Sequence, residues 1–317
     1  MSIPQSEPRL CVVVLAGGDS AEREVSLRSG AAVAEALKAA AHEIRLVDPG
    51  ECALDSVDWG NVDACFIALH GGAGEDGRIQ QQLQHFGVPY TGSGPQACRL
   101  AMSKSAAKEQ FVACGVPTPP FVKIEPSEAP AEVAARVEQL GYPLIIKPDG
   151  EGSSIGLSLV ERPAGLASAL AAARGQQSEI ACIAEAFFRG REFTVAVLDE
   201  QALPIIEIVS PERVFSYDAK YASVQTQYLF DFELTDDVRR QIAGAAVAAA
   251  QALGTAGLAR VDVMLDDEGR IGVLEVNTIP GLTARSLAPQ AALRAGMDMT
   301  ALCDLLVRRC LAASEVS

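Results

Sequence analysis

The chain has 317 residues, 49% of them hydrophobic and 21% charged, and a formal charge of −15. That length suits two or three domains of about 100–150 residues each, and the acidic balance argues against nucleic acid and anionic membranes as partners. No apolar run approaches the roughly 20 residues of a membrane span, the N-terminus carries no export signal, and the eight cysteines are scattered with no C-x-x-C pair. We therefore expect a cytoplasmic protein with buried thiols, not a disulfide framework or a zinc site.

In chain order, Leu10–Leu15 reads as a buried strand that ends in the turn Ala16-Gly17-Gly18-Asp19. A helix is expected from about Ala21 to Ala40, then strands at Ile44–Val47 and Ala64–Leu69, then a helix between Ile79 and Phe86. Strands alternating with helices predict a parallel α/β sheet covered on both faces. Asp19 is expected to cap the first helix, with Glu22 completing a capping box. The Gly17-Gly18 turn also raises a dinucleotide site, but it lacks the G-x-G-x-x-G spacing. His70 ends a strand, at the end where open α/β sheets hold ligands; a structural histidine is the plainer reading.

A second unit, residues 104–185, holds a helix at Ser105–Cys114, the breaker cluster Val116-Pro117-Thr118-Pro119-Pro120 and a helix near Ala131–Leu140. The strand Leu144–Lys147, a helix at Pro163–Ala173 and the strand Ile180–Glu185 complete it. Lys147 is followed by a loop rich in glycine and serine, through Ser153 to Gly156. Backbone amides of such a loop approach a phosphate while the lysine neutralises it, although an ordinary flexible loop has the same composition. The lysine precedes the glycines, so this is not a Walker A motif.

The third unit, residues 186–317, opens with strands at Phe193–Leu198 and Leu203–Val209. Between Glu185 and Glu192 lies an apolar hinge with Phe187 and Phe188, which suits an adenine ring with carboxylates for ribose hydroxyls, or an unremarkable hairpin. The polar stretch Ser210–Asp231 lacks periodicity and reads as a lid loop or a disordered segment. A helix at Asp236–Leu253, strands at Ala259–Leu265 and Ile271–Val276, and helices to Leu311 finish the chain.

Those last two strands carry Arg260-Val261-Asp262 and Glu275-Val276-Asn277. Alternation puts Arg260 with Asp262, and Glu275 with Asn277, on one face of each strand, and a hairpin would bring the pairs together. Three oxygen ligands with room for phosphates and water suit Mg²⁺. A solvated hairpin with charges outside competes with this reading. It weakens because Asn277 leads into the turn Thr278-Ile279-Pro280-Gly281-Leu282-Thr283, which can aim backbone amides at an oxyanion.

In order, A-E-R-E-V-S (21–26), A-L-H-G-G-A-G-E-D-G (68–77), Y-T-G-S-G (90–94), M-S-K (102–104) and I-I-K-P-D-G-E-G-S-S-I-G (145–156) are followed by four more matching stretches. These are E-F-T-V-A (192–196), Y-D-A-K-Y (217–221), R-V-D-V-M (260–264) and L-E-V-N-T-I-P-G-L-T (274–283). Over nearly the whole chain this set resembles the D-alanine–D-alanine ligases of the ATP-grasp superfamily. The resemblance implies an ATP-grasp fold behind an N-terminal Rossmann-like parallel-sheet domain. It also implies ATP-dependent joining of two D-alanines for peptidoglycan, through a D-alanyl phosphate.

By the same resemblance Lys104 and Lys147 hold the phosphates, and Glu185, Phe187, Phe188 and Glu192 hold the adenosine. Asp262, Glu275 and Asn277 bind two Mg²⁺ or Mn²⁺ ions. Glu22 and His70 take the first D-alanine, Ser286 and Lys220 the carboxylate of the second, Leu282 is a further substrate contact, and Arg260 with the amide of Gly281 faces the oxyanion. Glu22, Ser153 and Tyr221 form the trio that closes the lid, and a homodimer is implied. Asp149 and Gly150 stand where the family commonly has a small polar and a basic residue, which predicts a looser loop.

Overall fold

Three consecutive valines make Cys11–Leu15 (β1) a strand that nothing but a core could hold, since β-branched side chains favour extended backbone and Val12–Leu15 are buried completely. It runs parallel to Glu43–Val47 (β2) on one side and to Ala64–Ile67 (β3) on the other, giving the order β2-β1-β3. Helix α1 (Arg23–Ala39) lies against β1 and β2. The chain reverses after β1 at Gly17 and Gly18, both in the left-handed region. At Gly17 a side chain would collide with the Asp48 carboxylate. That carboxylate accepts from the amides of Gly18 and Gly50, each at 2.8 Å, and pairs with Arg23 at 2.7 Å.

The computed structural model describes residues 8–150, 156–175, 179–210 and 226–314. These fall into two compact units. The first gathers residues 1–98, 255–259 and 278–317, so the C-terminal helices Leu287–Arg294 and Met299–Ser314 share a core with β1–β3. Helix Met299–Ser314 packs on α1 and β3, and its Asp304 takes a 2.7 Å contact from the buried His42.

The second unit comprises residues 99–254 and 260–277. One of its sheets is antiparallel, with Phe121–Ile124 (β4), Leu144–Pro148 (β5), Ser158–Val160 (β6) and Cys182–Ala186 (β7) in the order β4-β7-β5-β6. Helix α4, which we number after Arg78–His85 (α2) and Pro95–Met102 (α3), spans Lys104–Ala113 and packs on β4. The other sheet joins Gly190–Leu198 (β8), Gln201–Ala202 (β9), Ile206–Val209 (β10), Gln227–Leu229 (β11), Leu258–Asp266 (β12) and Ile271–Asn277 (β13). Its order is β11-β10-β8-β12-β13, with β9 paired to β8. The helix Asp236–Ala252 covers β8 and β13, its first turn capped by the Thr235 hydroxyl.

Two local expectations need correction. Asp19 does not cap α1, whose N-cap is Glu22, with no capping hydrogen bond from that side chain to the first turn. The hydroxyl of Ser20 takes over there, accepting from the Glu22 amide at 3.1 Å and donating to the His70 carbonyl at 2.6 Å. The stretch Ser210–Asp231 is not irregular throughout, because Gln227–Leu229 pairs antiparallel with β10. Tyr228 and Leu229 suit a strand, and β10 offers them an unpaired edge. Among the described residues the eight cysteines form no disulfide; Cys65, Cys98, Cys182 and Cys303 are buried, whereas Cys52 and Cys114 are exposed.

Candidate active site

The antiparallel register of β12 and β13 sets Arg260 opposite Asn277 and Asp262 opposite Glu275. Facing residues of such a pair have their Cβ atoms about 4.5–5.5 Å apart, so two carboxylates, an amide and a guanidinium converge. Asp262 is buried, and its Oδ1 accepts from the Thr194 hydroxyl at 2.7 Å and from Arg260 Nε at 3.0 Å. Oδ2 accepts from the other arm of the guanidinium at 2.9 Å. Among the described residues no three His, Cys, Asp or Glu side chains form a cluster that could hold a metal. The pair of hard carboxylates with the Asn277 amide still fits a divalent cation that draws its remaining oxygens from substrate and water.

Across the other sheet of this unit, Glu185 stands opposite Ile145 on β5 and Phe121 on β4. Lys147, two residues beyond Ile145, shares the face and reaches the carboxylate diagonally, with Nζ 2.8 Å from Oε2. A second ammonium, that of Lys108, lies 3.3 Å from Oε1. Burial alone would raise the Glu185 carboxyl, but the two lysines outweigh it and hold it below the ordinary range. Burial would likewise lower Lys147, and the carboxylates around it, Glu185 first and then Glu275, together more than reverse that. For Lys108 burial dominates over the attraction of Glu185, and the ammonium drops to about 8.

Lys104 begins α4, and its amide donates to the Asp149 carbonyl at 3.0 Å. The Asp149 carboxylate accepts from the Ser105 amide at 2.6 Å and from the hydroxyls of Ser103 and Ser105 at 2.8 and 2.9 Å. A buried anion at a helix N-terminus meets unsatisfied amides and the positive end of the dipole. Asp149 itself is thus tied down, while residues 151–155 of the loop expected to be looser lie outside the described residues. In the hinge, the Phe187 amide donates to the Pro143 carbonyl, and the Phe188 ring lies where a side chain at Gly272 would meet it. Gly190 follows because an added Cβ would stand 2.0 Å from the Leu265 carbonyl. Glu192, half-buried on β8, pairs with Ile208 of β10.

The first unit holds the remaining candidates. His70 is buried, with Nε2 2.9 Å from the Ser29 hydroxyl and Nδ1 3.7 Å from Glu75. That Ser29 hydroxyl also accepts from the Leu282 amide at 3.3 Å. One serine therefore links the histidine to the turn that follows Asn277. The Glu22 carboxylate lies against Gly71, where a side chain would collide with it. Gly281 is backed by the Ser286 hydroxyl, which accepts from the Thr283 amide at 3.1 Å.

Two family models match the chain: "D-ala D-ala ligase C-terminus" over residues 111–308 and "D-ala D-ala ligase N-terminus" over residues 49–93. The D-alanine–D-alanine ligase of Bordetella petrii is 44% identical over 300 residues, covering 93% of this chain and 90% of its own length. The chain belongs to the D-alanine–D-alanine ligase family. Among solved structures, the Bacillus anthracis ligase complexed with ATP superposes with a TM-score of 0.82 at 28% identity, covering 97% of this chain and 99% of that one. The VanG D-Ala:D-Ser ligase of Enterococcus faecalis gives 0.83 at 27%, with 95% and 99% covered. The family's ATP-grasp fold accounts for the two sheets of the second unit.

Of the residues expected to act in a ligase of this family, Lys147 and Glu185 meet on one sheet of the second unit, and Arg260, Asp262, Glu275 and Asn277 meet on the other. Glu22, His70, Gly281, Leu282 and Ser286 belong to the first. Ser153, Lys220 and Tyr221 lie outside the described residues. Linear reading missed Lys108, Thr194, Ser29 and Asp149. A lysine between Ala107 and Phe111, on the buried face of α4, was the available signal for the first. Thr194 sits in an apolar strand run and reads as a β-former only.

Proposed function

We propose that this chain ligates two D-alanines into D-alanyl-D-alanine at the expense of ATP, for peptidoglycan precursors, by way of D-alanyl phosphate. The observation that carries the reading is the β12–β13 register, with Asp262 opposite Glu275 and Arg260 opposite Asn277. A carboxylate is a poor acyl donor, so the γ-phosphoryl group goes first to the carboxylate of one D-alanine. Lys104 and Lys147 neutralise the phosphates, while Glu185, Glu192, Phe187 and Phe188 hold the adenosine. Asp262, Glu275 and Asn277 would hold two Mg²⁺ or Mn²⁺ ions, which when bound offset the crowding of negative charge.

Glu22 and His70 orient the first D-alanine. Ser29, bonded to both His70 and the Leu282 amide, supports that assignment by fixing the imidazole. The amine of the second D-alanine, once deprotonated, then attacks the acyl carbon, and inorganic phosphate leaves as the C–O bond breaks. The carboxylate of that second D-alanine is held by Ser286 and Lys220, with Leu282 a further substrate contact. Arg260 and the Gly281 amide stabilise the tetrahedral oxyanion. Water would hydrolyse the acyl phosphate, so Glu22, Ser153 and Tyr221 close a lid from residues 210–231 over it. In sequence terms we assign this work to domains 1–103, 104–185 and 186–317, of which residues 255–259 and 278–317 pack with the first unit. We further infer, from the family resemblance, a cytoplasmic homodimer.

The test is phosphate release with ATP and Mg²⁺ against a panel of D-alanine, D-serine and D-lactate, with products identified by mass. We expect ATP turnover that requires D-alanine and yields the D-alanine dipeptide. A mixed product with D-serine or D-lactate in the second position would assign a different acceptor, and turnover indifferent to D-alanine would overturn the reading.

A further inference from the structure

Lys108 has no place in the reaction above, yet it is an ammonium with no exposed surface, directly beside the nucleotide carboxylate. Burying such a charge is costly unless it is paired and hydrogen-bonded. Its Nζ donates to the Thr118 hydroxyl at 2.6 Å, lies 3.3 Å from Glu185 Oε1 and stands 5.8 Å from the centre of the Phe121 ring. Thr118 in turn donates to the Val273 carbonyl at 2.7 Å, on the strand that carries Glu275 and Asn277. Lys108 therefore connects α4, β4, β7 and β13 at one point.

The Glu185 carboxylate sits between two ammoniums, one to each oxygen. They are not equivalent. Lys108 also has the Thr118 hydroxyl and is enclosed. Lys147 meets Oε2 at 2.8 Å, and no other group is hydrogen-bonded to that oxygen among the described residues. A lysine that is to meet phosphate must give up this contact. If Lys147 were the sole partner, its departure would leave a buried carboxylate unpaired.

We propose that Lys108 is a positioning residue of the nucleotide site, the standing counter-ion of Glu185 that lets Lys147 leave the carboxylate for the phosphates of ATP. This rests on the assignment of Lys147 and Glu185 to ATP made above. It separates Lys108 from a purely structural lysine: its loss is felt when phosphate binds, and only while Glu185 carries a charge.

The experiment is a double-mutant cycle of Lys108→Met and Glu185→Gln, with Mg²⁺-ADP and adenosine binding followed by calorimetry and folding by thermal melts. We expect Lys108→Met to weaken ADP by about tenfold or more, since it leaves a buried charge to be stranded. Adenosine should change by no more than about twofold, and in the Glu185→Gln background the ADP loss should shrink to about threefold or less. Equal losses of ADP and adenosine, or an equal ADP loss in both backgrounds, would overturn the proposal. Lys108→Gln takes the place of methionine should that variant not fold.

The wild-type protein gives a reading that needs no variant. The charged groups acting on Lys108 are Glu185 on β7, Lys147 on β5 and Glu275 on β13. With burial holding the ammonium near 8, ADP affinity should fall as pH rises through that value while adenosine affinity stays level. An ADP affinity that is flat from pH 7 to about pH 9 would also overturn it. Wild-type protein that bound neither ligand would instead sink the ATP assignment itself.

Discussion

Removing the Thr194 hydroxyl is the sharpest available perturbation of the hairpin site. Thr194 and Asp262 are both buried, and the hydroxyl donates to Oδ1 at 2.7 Å. Valine has nearly the same shape, so Thr194→Val opens no cavity and takes away one donor of the two on that oxygen, leaving Arg260 Nε at 3.0 Å. A hydrogen bond to a charged group contributes about 1.5–3 kcal/mol. The carboxylate would then lean toward the guanidinium, away from the geometry it needs opposite Glu275. Loss of a partner behind a metal ligand costs about 10–100-fold in metal affinity or activity. We therefore expect the Mg²⁺ concentration for half-maximal phosphate release to rise about tenfold or more, and Thr194→Ser to restore it. Unchanged Mg²⁺ dependence and turnover in Thr194→Val would show that the hydroxyl merely fills the core.

Asp262→Asn and Glu275→Gln should each abolish turnover in protein that still folds; near-native activity in either at modest Mg²⁺ would disprove the hairpin assignment. Ser29→Ala unlinks His70 from the Leu282 amide, so KM for D-alanine should rise about tenfold while Mg²⁺ dependence stays put. Asp304 is raised by burial but lowered more by Arg308 and His42, so its folded pKa lies below 3.8. Its stabilising contribution is thus present above that value and lost as pH falls through the folded pKa. Asp304→Asn should lower thermal stability at pH 7, and melts near pH 3 should show the gap closing.

The hairpin could be read from the chain because period-two alternation fixes a face, and Arg260, Asp262, Glu275 and Asn277 obey it over two adjacent strands. Lys147 was legible for a similar reason, as a charge ending an apolar strand. Lys108 was not, because a lone lysine on a helix is ordinarily solvated, and only the packing of α4 against β4 shows that this one is enclosed. Asp19 misled because the Ser20 hydroxyl, one position on, takes the backbone amide instead. Helix α3 and strand β4 went unread because Gly92-Ser93-Gly94-Pro95 and Pro119-Pro120 look like interruptions, although each leads straight into an element. Which distant segments share a core is not a local property at all, and no period in the sequence announces it.

That last point bears on how the protein is made. Strand β3 receives helix Met299–Ser314 across its face, and the Ser29 hydroxyl receives the Leu282 amide. When the first unit's three strands have been made, the last of these partners is still about 230–250 residues from being polymerised, a delay of about 12–50 seconds at about 5–20 residues per second. Throughout that interval the nascent sheet keeps an apolar face uncovered, and the Ser29 hydroxyl that meets His70 lacks the Leu282 amide. Nascent chains halted after β13 should therefore be sticky to chaperones and digested readily within residues 1–98, and protection there should arrive only with the final helix.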